Sequence, residues 1–152
     1  MDGEHHTNSI WEVKHMRGGL VDVEFIAQYL LLKYAHAHPE ILSPNTWMVL
    51  NRIRDSGLIE SSAIDQLTEA LTLWQTIQGT LLLAIEGRFD KQEGSAVPEG
   101  LRETLAELGG AVDFGALKAK IETMAKKVHV LFADLIENPA RESMAKQKTG
   151  KV

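Results

Sequence analysis

Two stretches of this chain repeat large, mostly apolar residues at intervals of four and three, and that repeat narrows the folds open to it. Leu67, Leu71, Trp74, Gln78, Leu81 and Ile85 form the first seam; Leu117, Ile121, Met124, Val128, Leu131 and Leu135 form the second. A helix of about 3.6 residues per turn places such residues on one face. A strand needs a period of two and does not match. Two long seams with shorter helical stretches between short connections predict an all-α, antiparallel up-and-down helical bundle of four main helices plus a short one.

The remaining elements follow from their ends. The first helix is expected from Leu20 to Ala37, with Val23, Ala27, Leu30 and Tyr34 on one face and Leu31 and Leu32 widening it. That width predicts a central helix. His36, His38 and Pro39 close it. Ser43-Pro44 reads as an N-cap and first helical residue, leading into Trp47, Leu50, Ile53 and Arg54 and a stop at Gly57. Ser61 or Ser62 is expected to cap the third helix, and Gly79 within it suits a close approach of two helices. Gly87 to Pro98 reads as a polar loop. Leu101, Leu105 and Leu108 form the short helix, ended by Gly109-Gly110. Asp113 caps the last helix and Asn138-Pro139 ends it.

Residues 1–9 read as flexible, and Ser9 to Lys14 as a short strand without a neighbour to pair with. The expected organisation is an extended arm over 1–17, the bundle over 18–138 and a flexible, Lys-rich tail over 139–152.

Composition removes several function classes. A chain of 152 residues is one domain with a sizeable core. The net charge of −5 gives no general attraction to nucleic acid. Cysteine is absent, which excludes disulfides and thiolate chemistry. No apolar run reaches the length of a membrane span, and Met1-Asp2-Gly3-Glu4-His5-His6 is too polar for a signal peptide. A cytoplasmic location is the expectation.

One stretch reads as a site: Lys14-His15-Met16-Arg17-Gly18-Gly19-Leu20-Val21-Asp22-Val23-Glu24-Phe25-Ile26-Ala27-Gln28. Two glycines follow cationic residues and open an apolar helix. The helix start offers N–H groups and a positive dipole end, which suits a phosphate. The competing reading is a plain turn with acidic residues complementing the dipole. Asp22-x-Glu24 resembles a metal-binding carboxylate pair, but on a helix the two diverge by about 200°. Glu24 and Gln28 share a face. His36-x-His38, His5-His6 and His129 lack the spacing or the partners of a zinc site, so surface and structural roles are expected. No catalytic triad pattern, Walker loop or dinucleotide fingerprint is present.

The stretch from Lys14 to Gln28 resembles the Lys-x-x-x-Gly-Gly-[Ile/Leu]-x-Asp-[Ile/Val]-Glu-Phe-x-x-Gln signature of glutamine synthetase adenylyltransferase, also called glutamate–ammonia ligase adenylyltransferase. A related domain occurs in the uridylyltransferase for the PII signal protein. Gln28-Tyr29-Leu30-Leu31-Leu32-Lys33-Tyr34-Ala35-His36 resembles the C-terminal half of that enzyme, and the helix pattern agrees to about Ile136. The resemblance implies the helical domain that follows the second nucleotidyltransferase core. That core attaches AMP from ATP to a synthetase tyrosine, and the other half of the enzyme removes it. It further implies magnesium and ATP in the full-length enzyme, none required by this fragment, with glutamine synthetase, PII and the nucleotidyltransferase core as partners. Lys14, Arg17, Gly18, Gly19 and Gln28 become candidates for nucleotide or phosphate binding, and Asp22 and Glu24 for catalysis. Two departures stand out: no Gly-Ser-x-Asp-x-Asp motif occurs here, and Met16 replaces a glycine found in many members. The alternative is a non-catalytic interaction module, and a weaker third reading is a metal-dependent helical hydrolase.

Overall fold

The structure, a computed structural model, describes residues 13–83 and 99–139. The expectations for residues 1–12, for Ile85 of the first seam, for the polar loop from Gly87 to Pro98 and for the tail from 140 lie outside the described residues. The fold is an all-α helical bundle: α1 (Leu20–Tyr34), a 3₁₀ turn (Pro39–Ile41), α2 (Thr46–Asp55), α3 (Ser61–Leu83), α4 (Glu99–Leu108), α5 (Phe114–Phe132) and a π turn (Ala133–Glu137).

The centre is α3, not α1. It touches each of the other four α-helices. Ile64, Leu67, Ala70, Leu71, Trp74 and Ile77 are wholly buried, a band wider than the seam read from the sequence. Ser61 and Ser62 sit inside its first turn, where the Glu60 carbonyl accepts from the N–H groups of Ala63 (3.1 Å) and Ile64 (3.2 Å). Gln78 is half-buried while Ile77 and Thr80 turn inward.

Gly79 lies on the opposite, exposed side, and an added Cβ meets nothing within 4 Å. Among the described residues no helix approaches it closely, contrary to expectation. Gly79→Ala should therefore stabilise the chain by about 0.5–1 kcal/mol through helix propensity and a less flexible unfolded state. Thermal melting checks this: a rise of roughly 1–4 °C is expected at this chain length. A fall would show crowding at the position.

α2 starts later than the Ser43-Pro44 pair suggested. Asn45 is its N-cap, with Oδ1 accepting from the Met48 N–H at 2.9 Å, while Ser43 Oγ accepts from the Asn45 N–H at 3.1 Å. That start turns Val49, Leu50 and Ile53 inward and leaves Trp47 half exposed. Arg54 is partly exposed and pairs with Asp65 at 2.9 Å. Gly57 stops the helix with φ of 71°. The 3₁₀ turn is tied to the end of α2 through Glu40, which accepts from the Ser56 hydroxyl at 3.3 Å and faces His38 at 3.2 Å. Its own backbone N–H chiefly holds the Glu40 carboxyl below the usual carboxylate range, with His38 and Ser56 adding to this.

In α4, Leu101, Leu105 and Ala106 are buried and Leu108 is exposed. Asp113 caps α5 as expected, accepting from the Ala116 N–H at 2.7 Å. Leu117, Ile121, Met124 and Val128 are buried. Beyond them the π turn shifts the register, because its wider turn holds an extra residue. Ile136 is buried there, while Leu131 and Leu135 are half-buried.

α1 ends at Tyr34, three residues early, in turns where the His38 N–H reaches the Tyr34 carbonyl at 2.8 Å. Leu20, Val23, Ile26, Ala27 and Leu30 are buried. Leu32 does not widen this face, because it projects from the far side at 83% exposure.

Candidate functional site

The segment before α1 is a compact turn rather than an extended arm over residues 13–17. Val13 is buried in the core, so its carbonyl lies beneath the helix start and accepts from the Leu20 N–H at 2.7 Å. The Lys14 carbonyl accepts from the Val21 N–H at 2.8 Å, and the Met16 carbonyl from the Gly19 N–H at 2.8 Å. Helix starts have N–H groups without intrahelical partners. Here the turn itself engages those of Gly19, Leu20 and Val21.

Gly18 is held from three directions. Its N–H donates to Asp22 Oδ2 at 2.6 Å, and its carbonyl accepts from the buried Trp74 Nε1–H at 3.1 Å. Its φ is 79°, and a Cβ would lie 2.1 Å from the Ala125 carbonyl oxygen of α5. At Gly19 a Cβ would lie 2.1 Å from the Val13 carbonyl oxygen. Both glycines are buried with their N–H groups engaged, which corrects the idea that these groups face a phosphate. The two residues are needed because three backbone segments meet there.

The exposed side of the turn carries Lys14, His15 and Arg17. On α1, Gln28 is exposed and Glu24 half-buried. Asp22 and Glu24 leave the helix in divergent directions, and Asp22 folds back onto Gly18. The pair therefore does not fit a metal ion, and among the described residues no three of His, Asp and Glu gather as a metal site. His36 is exposed, His38 faces Glu40, and His129 is half-buried in α5. Beside Gln28, a cleft of about 100 Å³ opens between α1 and the start of α2, lined also by Leu31, Ser43 and Thr46. A larger groove of about 410 Å³ runs between Trp47, Thr72, Leu108 and Lys120, and none of its lining residues belongs to the stretch from Lys14 to Gln28.

Trp74, Ala125 and Val13 are the parts of this site that sequence reasoning missed. A buried indole N–H needs an acceptor, which was a usable signal at Trp74, but nothing in the sequence names Gly18 as that acceptor.

The site divides cleanly. Gly18, Gly19, Leu20 and Val23 are buried in the core, while Lys14, Arg17 and Gln28 are exposed. Fold and site together define an all-α domain built around a core-locked N-terminal turn. The chain belongs to the GlnD PII-uridylyltransferase family, whose model matches residues 2–136.

Among curated proteins, the chain is similar to a "Bifunctional glutamine synthetase adenylyltransferase/adenylyl-removing enzyme" of Xanthobacter autotrophicus, 37% identical over 131 residues, covering 86% of this chain and 13% of that protein. Proteins of the same name from Rhodopseudomonas palustris (32% over 129 residues, 85% of this chain) and Bradyrhizobium diazoefficiens (32% over 133 residues, 88% of this chain) are also similar, again over 13% of their length. The chain thus spans about an eighth of the curated relatives it matches. No solved structure gives a significant match. No described helix is long and apolar enough to cross a membrane.

Proposed function

We propose that this chain is the helical domain of the adenylyltransferase half of a glutamine synthetase adenylyltransferase, which transfers AMP from ATP to a tyrosine of glutamine synthetase. Family membership and the names of the relatives support the reading. The observation that carries it is the division within the signature, whose glycines serve the core and whose charged side chains face outward. In this reading Lys14 and Arg17 neutralise phosphate charge on ATP. Glu24 and Gln28 orient the nucleotide or the target tyrosine loop. Asp22 acts indirectly, by holding the turn through Gly18. Magnesium and the in-line geometry belong to the nucleotidyltransferase core, outside this chain. Glutamine synthetase and PII are the proposed macromolecular partners.

A second reading, a non-catalytic interaction module, is favoured by the exposed Val21, Phe25 and Leu32 on α1. One experiment separates the two. This chain replaces the matched 131 residues of the Xanthobacter enzyme, and labelled AMP incorporation into glutamine synthetase is measured. Arg17→Ala and Glu24→Gln should lower transfer roughly a hundredfold, since misplacement by about an ångström can cost that much. Their melting temperatures should match that of the parent, because both residues keep solvent contact. Asp22→Ala should instead cost about 1.5–3 kcal/mol of stability, the range for a hydrogen bond to a charged group. Near-normal transfer by Arg17→Ala and Glu24→Gln would sink the catalytic reading. The isolated chain, without an Asp-x-Asp motif, should transfer no AMP.

A further inference from the structure

α1 carries large apolar residues on its outer face as well as its inner one, beside the exposed Gln28 and Lys33. The inner face lies in the core. The outer face carries Val21, Phe25 and Leu32, which are 38%, 52% and 83% exposed. These residues lie on one side of the helix at intervals of four and seven, with the exposed Gln28 between Phe25 and Leu32. The Phe25 ring stacks on Phe132 of α5, with centroids 5.8 Å apart and 22° between planes, so the patch continues onto a second helix. The exposed side of α5 carries Lys118, Glu122, Lys126 and Lys127, and also Val130 at 56% exposure. A surface helix normally turns a polar face to water, and one that is apolar all round belongs in an interior. A contiguous exposed apolar patch marks a surface that another body covers.

Most of each relative's polypeptide lies outside the matched segment. The stripe also starts at the turn that bears Lys14 and Arg17. We propose that the Val21–Phe25–Leu32 stripe is the seat of another domain of the same full-length polypeptide. The occupant is the nucleotidyltransferase core, which meets the stripe with an apolar patch and leaves Lys14 and Arg17 at the rim, free to face the nucleotide it holds. This rests on the proposed function and names the surface through which it operates.

Hydroxyl-radical footprinting tests it by comparing the 152-residue chain with the same chain grafted into the Xanthobacter enzyme. Phe25 and Leu32 should label readily in the chain alone. In the graft their labelling should fall roughly tenfold, as expected for the fully buried centre of an interface, while Val112, 93% exposed, labels equally in both. Leu32→Asp in the graft should restore labelling of Phe25. The same substitution should leave the melting temperature of the 152-residue chain unchanged, since Leu32 touches little. Equal labelling of Phe25 and Leu32 in both proteins overturns the proposal. Protection in the chain alone that disappears on dilution also overturns it, because a second copy is then the occupant. The two readings fail separately. A protected stripe in a graft that transfers no AMP sinks the functional reading only, and AMP transfer with a freely labelled stripe sinks this one only.

Discussion

Gly18→Ala should remove a large share of the stability of this chain. Two costs add. The residue has φ of 79°, a conformation an alanine adopts only under strain of about 1–3 kcal/mol. The new Cβ would also stand 2.1 Å from the Ala125 carbonyl oxygen, far inside van der Waals contact. The obstacle is backbone of α5, which cannot rotate away as a side chain could, so overpacking of about 1–3 kcal/mol or more follows. Together about 2–6 kcal/mol is expected, against a total near 5–15 kcal/mol for a domain. Urea denaturation measures it. Gly57→Ala is the control, since Gly57 has φ of 71° but nothing within 4 Å of the added Cβ. It carries the backbone strain without the collision. Equal losses at the two positions would mean that α5 yields freely and that the turn is not clamped.

Trp74 holds the other side of the turn, and its removal is the second large effect. The side chain is wholly buried, and its Nε1–H donates to the Gly18 carbonyl at 3.1 Å. Trp74→Ala should cost about 3–5 kcal/mol for the lost volume alone. It also leaves a buried carbonyl without a partner, which adds about 1–3 kcal/mol. Trp74→Phe separates the two costs. It keeps most of the aromatic bulk, so a loss near the second figure alone is expected. Hydrogen exchange should then quicken at the amides of Gly18 to Val21, whose bonds close the turn, before it quickens in the interior of α3. A Trp74→Phe protein as stable as the parent, with an equally protected turn, would reduce the hydrogen bond to a coincidence of packing.

The two seams were readable because helical periodicity is written into neighbouring residues. Leu67, Leu71 and Trp74, and Leu117, Ile121, Met124 and Val128, were assigned to the interior on spacing alone, and all are buried. The caps at Asp113 and Gly57 were legible for the same reason, since each acts within a few residues of itself. The candidate site was legible as a stretch. Its inner workings were not, and they reversed the expected division of labour between Gly18-Gly19 and the cations beside them.

Where the reading failed, the deciding partner was distant in the chain. Leu32 looked like core because it is apolar and adjacent to Leu31, yet no described element covers it and it stands 83% exposed. Leu135 held the seven-residue register, but the π turn gave the buried place to Ile136. Trp74 and Gly18 are 56 positions apart, and no local pattern joins an indole N–H to that one carbonyl. The sequence by itself determined that the chain is helical, where its helices run and which stretch bears the charges, because backbone geometry repeats over three or four residues. Tertiary structure alone decided which apolar face found a cover, which N–H groups the turn kept for itself and which side chains reached the surface, because each depends on which segments the fold brings within hydrogen-bond or van der Waals reach.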